Sequence, residues 1–265
     1  MAVMASALTL GSLALAAPAV LAMQPAGDVA PYPIRDLGTP TVFLDGKPIW
    51  GTLENLPGMG ATSITSAGPA LGPTIEAYYS PSGGRSADLE DMRKKAINLL
   101  RSRLHTECDG DAHTCKAMVV FDIDETLLDN YSYWSAQDPA FTLNYTTWAT
   151  YVDECRASVI TQVRKVYRQA QDMGVQIALI TSRTDSQRQA TRRCLKERGI
   201  TGWDALITKP DASTLTASVY KAQARKQLEK QGYTILASVG DQLSDMAGGY
   251  LTGGIWLPNP IYYVP

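Results

Sequence analysis

The sequence predicts an α/β fold, a mainly parallel sheet covered by helices on both faces. Three observations predict it. From residue 117 onward, short apolar runs alternate with amphipathic segments of helical length. The apolar runs, such as Ala117-Met-Val-Val-Phe121, lack the polar alternation of a half-exposed strand, so they read as strands buried on both sides. The segments between them are long enough to be the crossover helices that parallel strands require.

The elements follow in order. Residues 1–27 carry no ionisable side chain, and Met1 to Ala22 is rich in Ala and Leu. Val20-Leu21-Ala22 offers the small-residue pattern of a cleavage site, so residues 1–22 are expected to be a signal peptide. Left uncleaved, about 20 apolar residues would serve as a membrane anchor. Residues 23–85, rich in Pro, Gly, Ser and Thr, are expected to form an irregular extension. Ser86 is a candidate N-cap for a helix with Leu89, Met92, Ala96, Leu99, Leu100 and Leu104 at helical spacing. A loop with Cys108 and Cys115 leads to the strand 117–121. An insertion over about 129–157 precedes a helix from Arg156 to Met173, ended by Gly174. A strand from Val175 to Ile180, a polar-faced helix from Ser186 to Arg198 and a short strand from Ala205 to Thr208 come next. A helix from Val219 to Lys230 and strands from Tyr233 to Val239 and Gly254 to Leu257 complete a domain over 86–265.

Composition narrows the chemistry. With 24 Lys and Arg against 26 Asp and Glu, the net charge of −2 provides no basic field for nucleic acid. Only His105 and His113 are present, which excludes a three-histidine zinc centre and leaves carboxylates, hydroxyls, lysine and thiols to carry chemistry. Four cysteines allow three pairings. The short loop between Cys108 and Cys115 favours that pair, with Cys155 bonded to Cys194. His105, Cys108, His113 and Cys115 also form a possible zinc set, but disulfides suit an exported chain better.

Ligands of open α/β sheets bind beyond the carboxyl ends of the strands. Those ends read Asp122-Ile-Asp124-Glu-Thr126, Thr181-Ser182-Arg183 and Gly240-Asp241-Gln-Leu-Ser-Asp245. Carboxylates gathered at one end repel each other, and a bound divalent cation is the natural compensation.

These motifs, in this order with a lysine before the last, resemble those of the haloacid-dehalogenase (HAD) superfamily of phosphohydrolases. Thr181-Ser-Arg183, Lys221, Gly240-Asp-Gln-Leu-Ser-Asp245 and the tail Leu257-Pro-Asn-Pro-Ile-Tyr-Tyr-Val-Pro265 are similar to the class B or plant-type secreted acid phosphatases. The resemblance implies a Rossmann-like core with a small helical cap inserted after the first motif. It implies Asp122 as the nucleophile that forms a phospho-aspartyl intermediate and Asp124 as general acid, then base. Crowding by anions would favour the protonated form Asp124 needs at the first step. Mg²⁺ would be held by the Asp122 carboxylate, the Asp124 backbone carbonyl and Asp241, with Asp245 ligating through water or orienting the others. Thr181 and Ser182 would bind the phosphoryl group, as would backbone N–H groups of the helix starting near Thr184. For the remaining cation Lys221 is favoured over Lys209, and Arg183 either binds substrate or pairs with a carboxylate. Tyr131, Tyr133 and Trp134 in the insertion either stack on an aromatic leaving group or pack the cap against the core. Asn130 and Asn144 match glycosylation sequons.

The expected activity is therefore a secreted or periplasmic, Mg²⁺-dependent acid phosphatase acting on small phosphomonoesters such as aryl phosphates, nucleotides and sugar phosphates. Neither nucleic acid nor stable membrane embedding after signal cleavage is expected. A nucleotide-selective phosphatase or phosphotransferase would use the same residues. A non-catalytic storage protein is the alternative of another class, and the presence of Asp122 argues against it.

Overall fold

The computed structural model describes residues 65–264, preceded by a pair of two-residue strands, β1 (Phe43–Leu44) antiparallel to β2 (Lys47–Pro48). The expected signal segment 1–22 and most of the extension 23–85 lie outside the described residues.

A five-stranded sheet forms the centre. Its strands are β4 (Ala117–Phe121), β7 (Gln176–Thr184), β8 (Ala205–Lys209), β9 (Thr234–Gly240) and β10 (Gly254–Trp256), in the order β10-β9-β4-β7-β8. Every pairing in it is parallel. The chain builds outward from β4 to β7 and β8, then crosses back to add β9 and β10 on the other side. β4 is thus the switch point, and the crevice at its carboxyl end is where such sheets bind ligands.

Alternation along the strands sorts the core into two layers. Val119, Phe121, Ile177 and Leu179 pack with Leu100 and Leu104 of α2 (Arg85–Cys108) and with Val163 and Tyr167 of α5 (Thr161–Asp172). α6 (Arg188–Glu197) adds Cys194 and Leu195 to the same layer. Met118, Val120, Ala178 and Ile180 face Tyr220, Ala224 and Leu228 of α7 (Ala217–Lys230). The parallel sheet with helices on both faces is the expected fold.

Several elements differ from expectation. Residues 65–79 are not wholly irregular: β3 (Thr65–Ser66) pairs with β11 (Tyr262–Tyr263), and α1 (Gly72–Tyr79) buries Ile75 and Tyr78. Only eight residues long, α1 gives little periodic signal and is held by packing, including a 4.3 Å stack of Tyr79 on Tyr131. The helix expected from Arg156 begins at Thr161 instead. Cys155 has a φ of 51°, which no helix continues, and β6 (Ser158–Val159) pairs with β5 (Leu128–Asp129) to close the base of the insertion. β7 runs on to Thr184, with an irregular register against β8 between Thr181 and Thr184.

The insertion carries two short helices, α3 (Tyr131–Ser135) and α4 (Tyr145–Asp153). Disulfides join Cys108 to Cys115 and Cys155 to Cys194. The first withdraws both thiols from the zinc set considered above; the second ties the end of the insertion to α6. Asn130 is fully buried, whereas Asn144 is exposed and caps α4 through its side-chain oxygen. Among the described residues no helix is long and apolar enough to cross a membrane.

Candidate active site

The three motifs converge at the carboxyl ends of β4, β7 and β9. Asp122 follows β4, and its backbone N–H donates to the carbonyl of Val239 on β9 (2.9 Å). Its carboxylate Oδ1 accepts a hydrogen bond from Lys221 Nζ at 2.8 Å. Lys221, rising from α7, also donates to Asp245 Oδ1 at 2.5 Å. Lys209, the alternative lysine, donates instead to the carbonyl of Leu215.

Asp241 follows β9 and has no exposed surface. Asp245 follows one turn later and folds back, accepting the Gln242 backbone N–H at 2.9 Å. This return requires Gly240: a β-carbon there would stand 2.1 Å from Asp245 Oδ2. Arg225, one turn beyond Lys221 on α7, is also fully buried and donates to the carbonyls of Asp245, Ala247 and Gly249. The same helix face thus holds both the Asp245 carboxylate and the loop that carries it.

Oxygens of Asp122, Asp241 and Asp245 lie within 4.8 Å of one another, all on buried residues. Burial drives the Asp122 carboxyl well above the usual carboxylate range; Lys221 opposes this, while Asp245, Asp241 and Asp124 add to it. Burial and the neighbouring Asp245 raise Asp241 to about 6, against the hydrogen bonds from Gln242 and Asn259. Burial alone would lower Lys221, but Asp122 and Asp245 outweigh it and raise its pKa. The ammonium therefore stays charged between two carboxylates. An oxygen-only donor set with surplus negative charge has the chemistry of a hard divalent cation site.

Asp124 has different company from the anions expected around it. Arg183 Nη2 donates to its Oδ1 at 2.6 Å and Arg183 Nε to its Oδ2 at 2.9 Å. Asn130 Nδ2 adds a third bond at 2.9 Å. Of the two expectations for Arg183, the structure shows the ion pair. Glu125, next in sequence and with a φ of 52°, accepts from Tyr262 Oη (2.5 Å) and from the Asn130 backbone (3.0 Å).

A cavity of about 320 Å³ opens above these groups. Asp122, Asp124, Thr181, Ser182 and Lys221 reach it from below, and Trp134, Trp148, Tyr145 and Tyr262 line its sides. Thr181 Oγ1 accepts from the Arg183 N–H (3.1 Å), leaving its hydroxyl proton to point elsewhere. Among the described residues Ser182 Oγ has no hydrogen-bond partner. Of the three aromatics singled out in the insertion, only Trp134 lines the cavity. Tyr131 stacks on Tyr79, and Tyr133 packs inside the cap against Trp134, Trp148 and Tyr151.

Sequence reasoning gave no role in the site to Arg225, Asn130, Glu125, Gln242, Asn259 or Tyr262. Arg225 had one available signal, its four-residue spacing from Lys221. The tail residues carried the family resemblance but no sign of a place in the site, because nothing local says that residues 256–264 return to β9.

Over residues 70–265 the chain matches the family model of HAD superfamily, subfamily IIIB (acid phosphatase). The chain belongs to that family. Among relatives of this chain, the stem 28 kDa glycoprotein of Glycine max is 34% identical over 154 residues, 56% of this chain and 61% of the relative. Acid phosphatase 1 of Solanum lycopersicum is 31% identical over 150 residues, 55% of this chain and 58% of the relative. The chain thus spans less than two thirds of the length of these curated relatives. The structure of the class C acid phosphatase from Bacillus anthracis superposes with a TM-score of 0.56 at 19% identity, over 74% of this chain and 86% of that one. That likeness is one of fold. The family match begins at residue 70 and so takes in α1, which the expected domain start at residue 86 leaves out.

Proposed function

We propose that the protein hydrolyses phosphate monoesters through a covalent intermediate on Asp122, with a divalent cation, Mg²⁺, at the acidic cluster. One observation carries this reading: a buried strand-end carboxylate, hydrogen-bonded to a buried lysine, faces the same cavity as a second carboxylate two residues on. Phosphate-monoester hydrolysis is among the slowest uncatalysed reactions, because a dianionic phosphoryl group repels its attacker. The site answers with positive charge and fixed geometry.

In the first half-reaction an Asp122 oxygen attacks phosphorus, the bond to the leaving oxygen breaks, and Asp124 delivers a proton to that oxygen. In the second, water attacks the same phosphorus, Asp124 takes its proton, and the Asp122 carboxylate departs with the electrons of the phosphorus–oxygen bond. Arg183 and Asn130 keep the Asp124 carboxyl in one orientation for both transfers. The Thr181 and Ser182 hydroxyls donate to phosphoryl oxygens, and Lys221 places its charge beside the nucleophile. The Asp122 carboxylate, the Asp124 backbone carbonyl and Asp241 would hold the cation, with Asp245 orienting them or ligating through water. When bound, the cation supplies neutralisation of phosphoryl charge and reverses the effect of burial on Asp122.

The aromatic sides of the cavity favour a narrower substrate class, phosphates of aromatic or nucleoside alcohols over those of small alkyl alcohols. The two disulfides support an oxidising compartment, secreted or periplasmic, reached through the segment 1–22 acting as a signal.

The test is hydrolysis of p-nitrophenyl phosphate with Mg²⁺. Activity is expected to vanish with EDTA and to fall about 10⁴-fold or more in Asp122→Asn, whose circular dichroism stays that of the wild type. EDTA-insensitive turnover, or an active Asp122→Asn protein, would overturn the mechanism.

A further inference from the structure

Asp241 is held in an unusual way for a carboxylate in an acidic cluster. Its Oδ2 accepts two amide donors, Asn259 Nδ2 at 2.8 Å and Gln242 Nε2 at 2.6 Å. Its Oδ1 accepts only the Thr126 hydroxyl, at 3.1 Å. Among the described residues no lysine or arginine touches either oxygen, whereas Asp122 and Asp245 share Lys221. Neutral amides orient a carboxylate without cancelling its charge. Asp241 Oδ2 is thereby immobilised without a basic partner, and Oδ1, engaged by a single hydroxyl, has a lone pair left for a cation.

The Asn259 amide has no freedom to do otherwise. Its Oδ1 accepts the backbone N–H of Ile261 at 2.8 Å, an Asx turn, so its Nδ2 must face Asp241. Pro258 and Pro260 on either side restrict the backbone of the segment. The segment is fastened at both ends. Leu257 N–H donates to the Gly240 carbonyl at 2.7 Å, and Ile261 O accepts from Ala67 N–H at 2.6 Å beside the β3–β11 pair. Asn259 is itself 1% exposed.

We propose that Asn259 is a positioning residue for the cation: the C-terminal segment 257–264, beyond the last acidic motif, completes the metal site by fixing Asp241 Oδ2. This rests on the reading that the acidic cluster binds a divalent cation. Outer partners of metal-ligating carboxylates commonly change affinity about 10- to 100-fold.

The experiment is calorimetric titration of Mg²⁺ into the metal-free full chain, so that the readout is affinity and not turnover. Asn259→Ser keeps a hydroxyl to hold the turn at Ile261 but cannot reach Asp241. Its Mg²⁺ Kd is expected to rise about 10- to 100-fold. Asn259→Thr, with the same hydroxyl, gives the same measurement if the serine variant does not fold. Leu257→Val loosens the packing of the segment without touching Asp241 and is expected to leave the Kd within about two-fold of wild type, far below the effect of losing the outer partner. An unchanged Kd in the Asn259 variants overturns the proposal, as does an equal loss in Leu257→Val. Wild-type protein that binds no Mg²⁺ would instead overturn the reading of the cluster as a cation site.

Discussion

Lys221→Met tests the electrostatics of the site most directly. The substitution keeps the length of the side chain and removes the one ammonium that pairs with both Asp122 and Asp245. Breaking a buried ion pair by deleting one partner costs about 3–5 kcal/mol, because the other charge is left uncompensated. For a domain of this size that is a fall of about 6–20 °C in Tm. The sign of the pH dependence follows from the shifts. The raised Lys221 contributes stability that is complete below the ordinary lysine pKa and is lost only as pH rises through its own higher value. The wild type therefore has this contribution in full from pH 4 to 8. Without the lysine, Asp122 and Asp241 lose the neighbour that lowers both, and their raised values climb further. A raised carboxyl favours the folded state when protonated, and that contribution disappears as pH climbs from the unfolded value, about 4, through the folded one. The deficit of the variant should thus be smallest near pH 4.5 and grow as pH rises toward 8. Differential scanning calorimetry in EDTA over that range measures it. Saturating Mg²⁺ should return part of the loss, about 2.7 kcal/mol at a hundred times Kd. A Tm deficit that is the same at every pH would refute the electrostatic account and leave Lys221 as packing.

Two further predictions concern the cavity wall and the covalent links. Trp148→Ala should raise KM for an aryl phosphate about 2- to 12-fold, the equivalent of one lost aromatic contact, and leave KM for glycerol phosphate nearly unchanged; equal effects on both would remove Trp148 from the leaving-group site. Replacing Cys155 and Cys194 together by Ser should cost about 4 kcal/mol in urea unfolding, against about 2.4 kcal/mol for Cys108 and Cys115, because the closed loop is 39 residues rather than 7. A larger loss at the short loop would mean that chain entropy is not what these bonds supply.

Strands and motif carboxylates were legible because their signals are local. An apolar run such as 117–121 announces a buried strand, and an Asp just beyond it stands at a known end of the sheet. Asp122, Asp241 and Asp245 could be read from the strand ends and Lys221 from the family resemblance, and the adjacency of β4 and β9 brings them together. What escaped was whatever depends on a return contact. α1 is too short to declare itself and exists because it packs on the insertion. The helix expected from Arg156 has acceptable helical spacing, yet the β5–β6 pair and the Cys155 disulfide claim its first turn. Asn130 reads as a glycosylation sequon and is instead an interior donor to Asp124. In each case tertiary contacts overrode a weak local preference.

Charge balance explains why the cation should be divalent. Asp124 stands apart from the cluster, with Arg183 as its partner at the cavity edge. Thr126 and the amides of Gln242 and Asn259 contribute no charge. The cluster proper is Asp122, Asp241 and Asp245 against Lys221 alone, which leaves two negative charges when all are ionised. Burial then favours either protonation, the direction in which Asp122 and Asp241 are shifted, or a bound cation. A monovalent ion would settle half of that charge. A divalent one settles all of it, and the phosphoryl dianion that follows meets a site near neutrality instead of three carboxylates. The near-neutral composition of the whole chain conceals this, because the imbalance is confined to a few buried side chains at the ends of two adjacent strands.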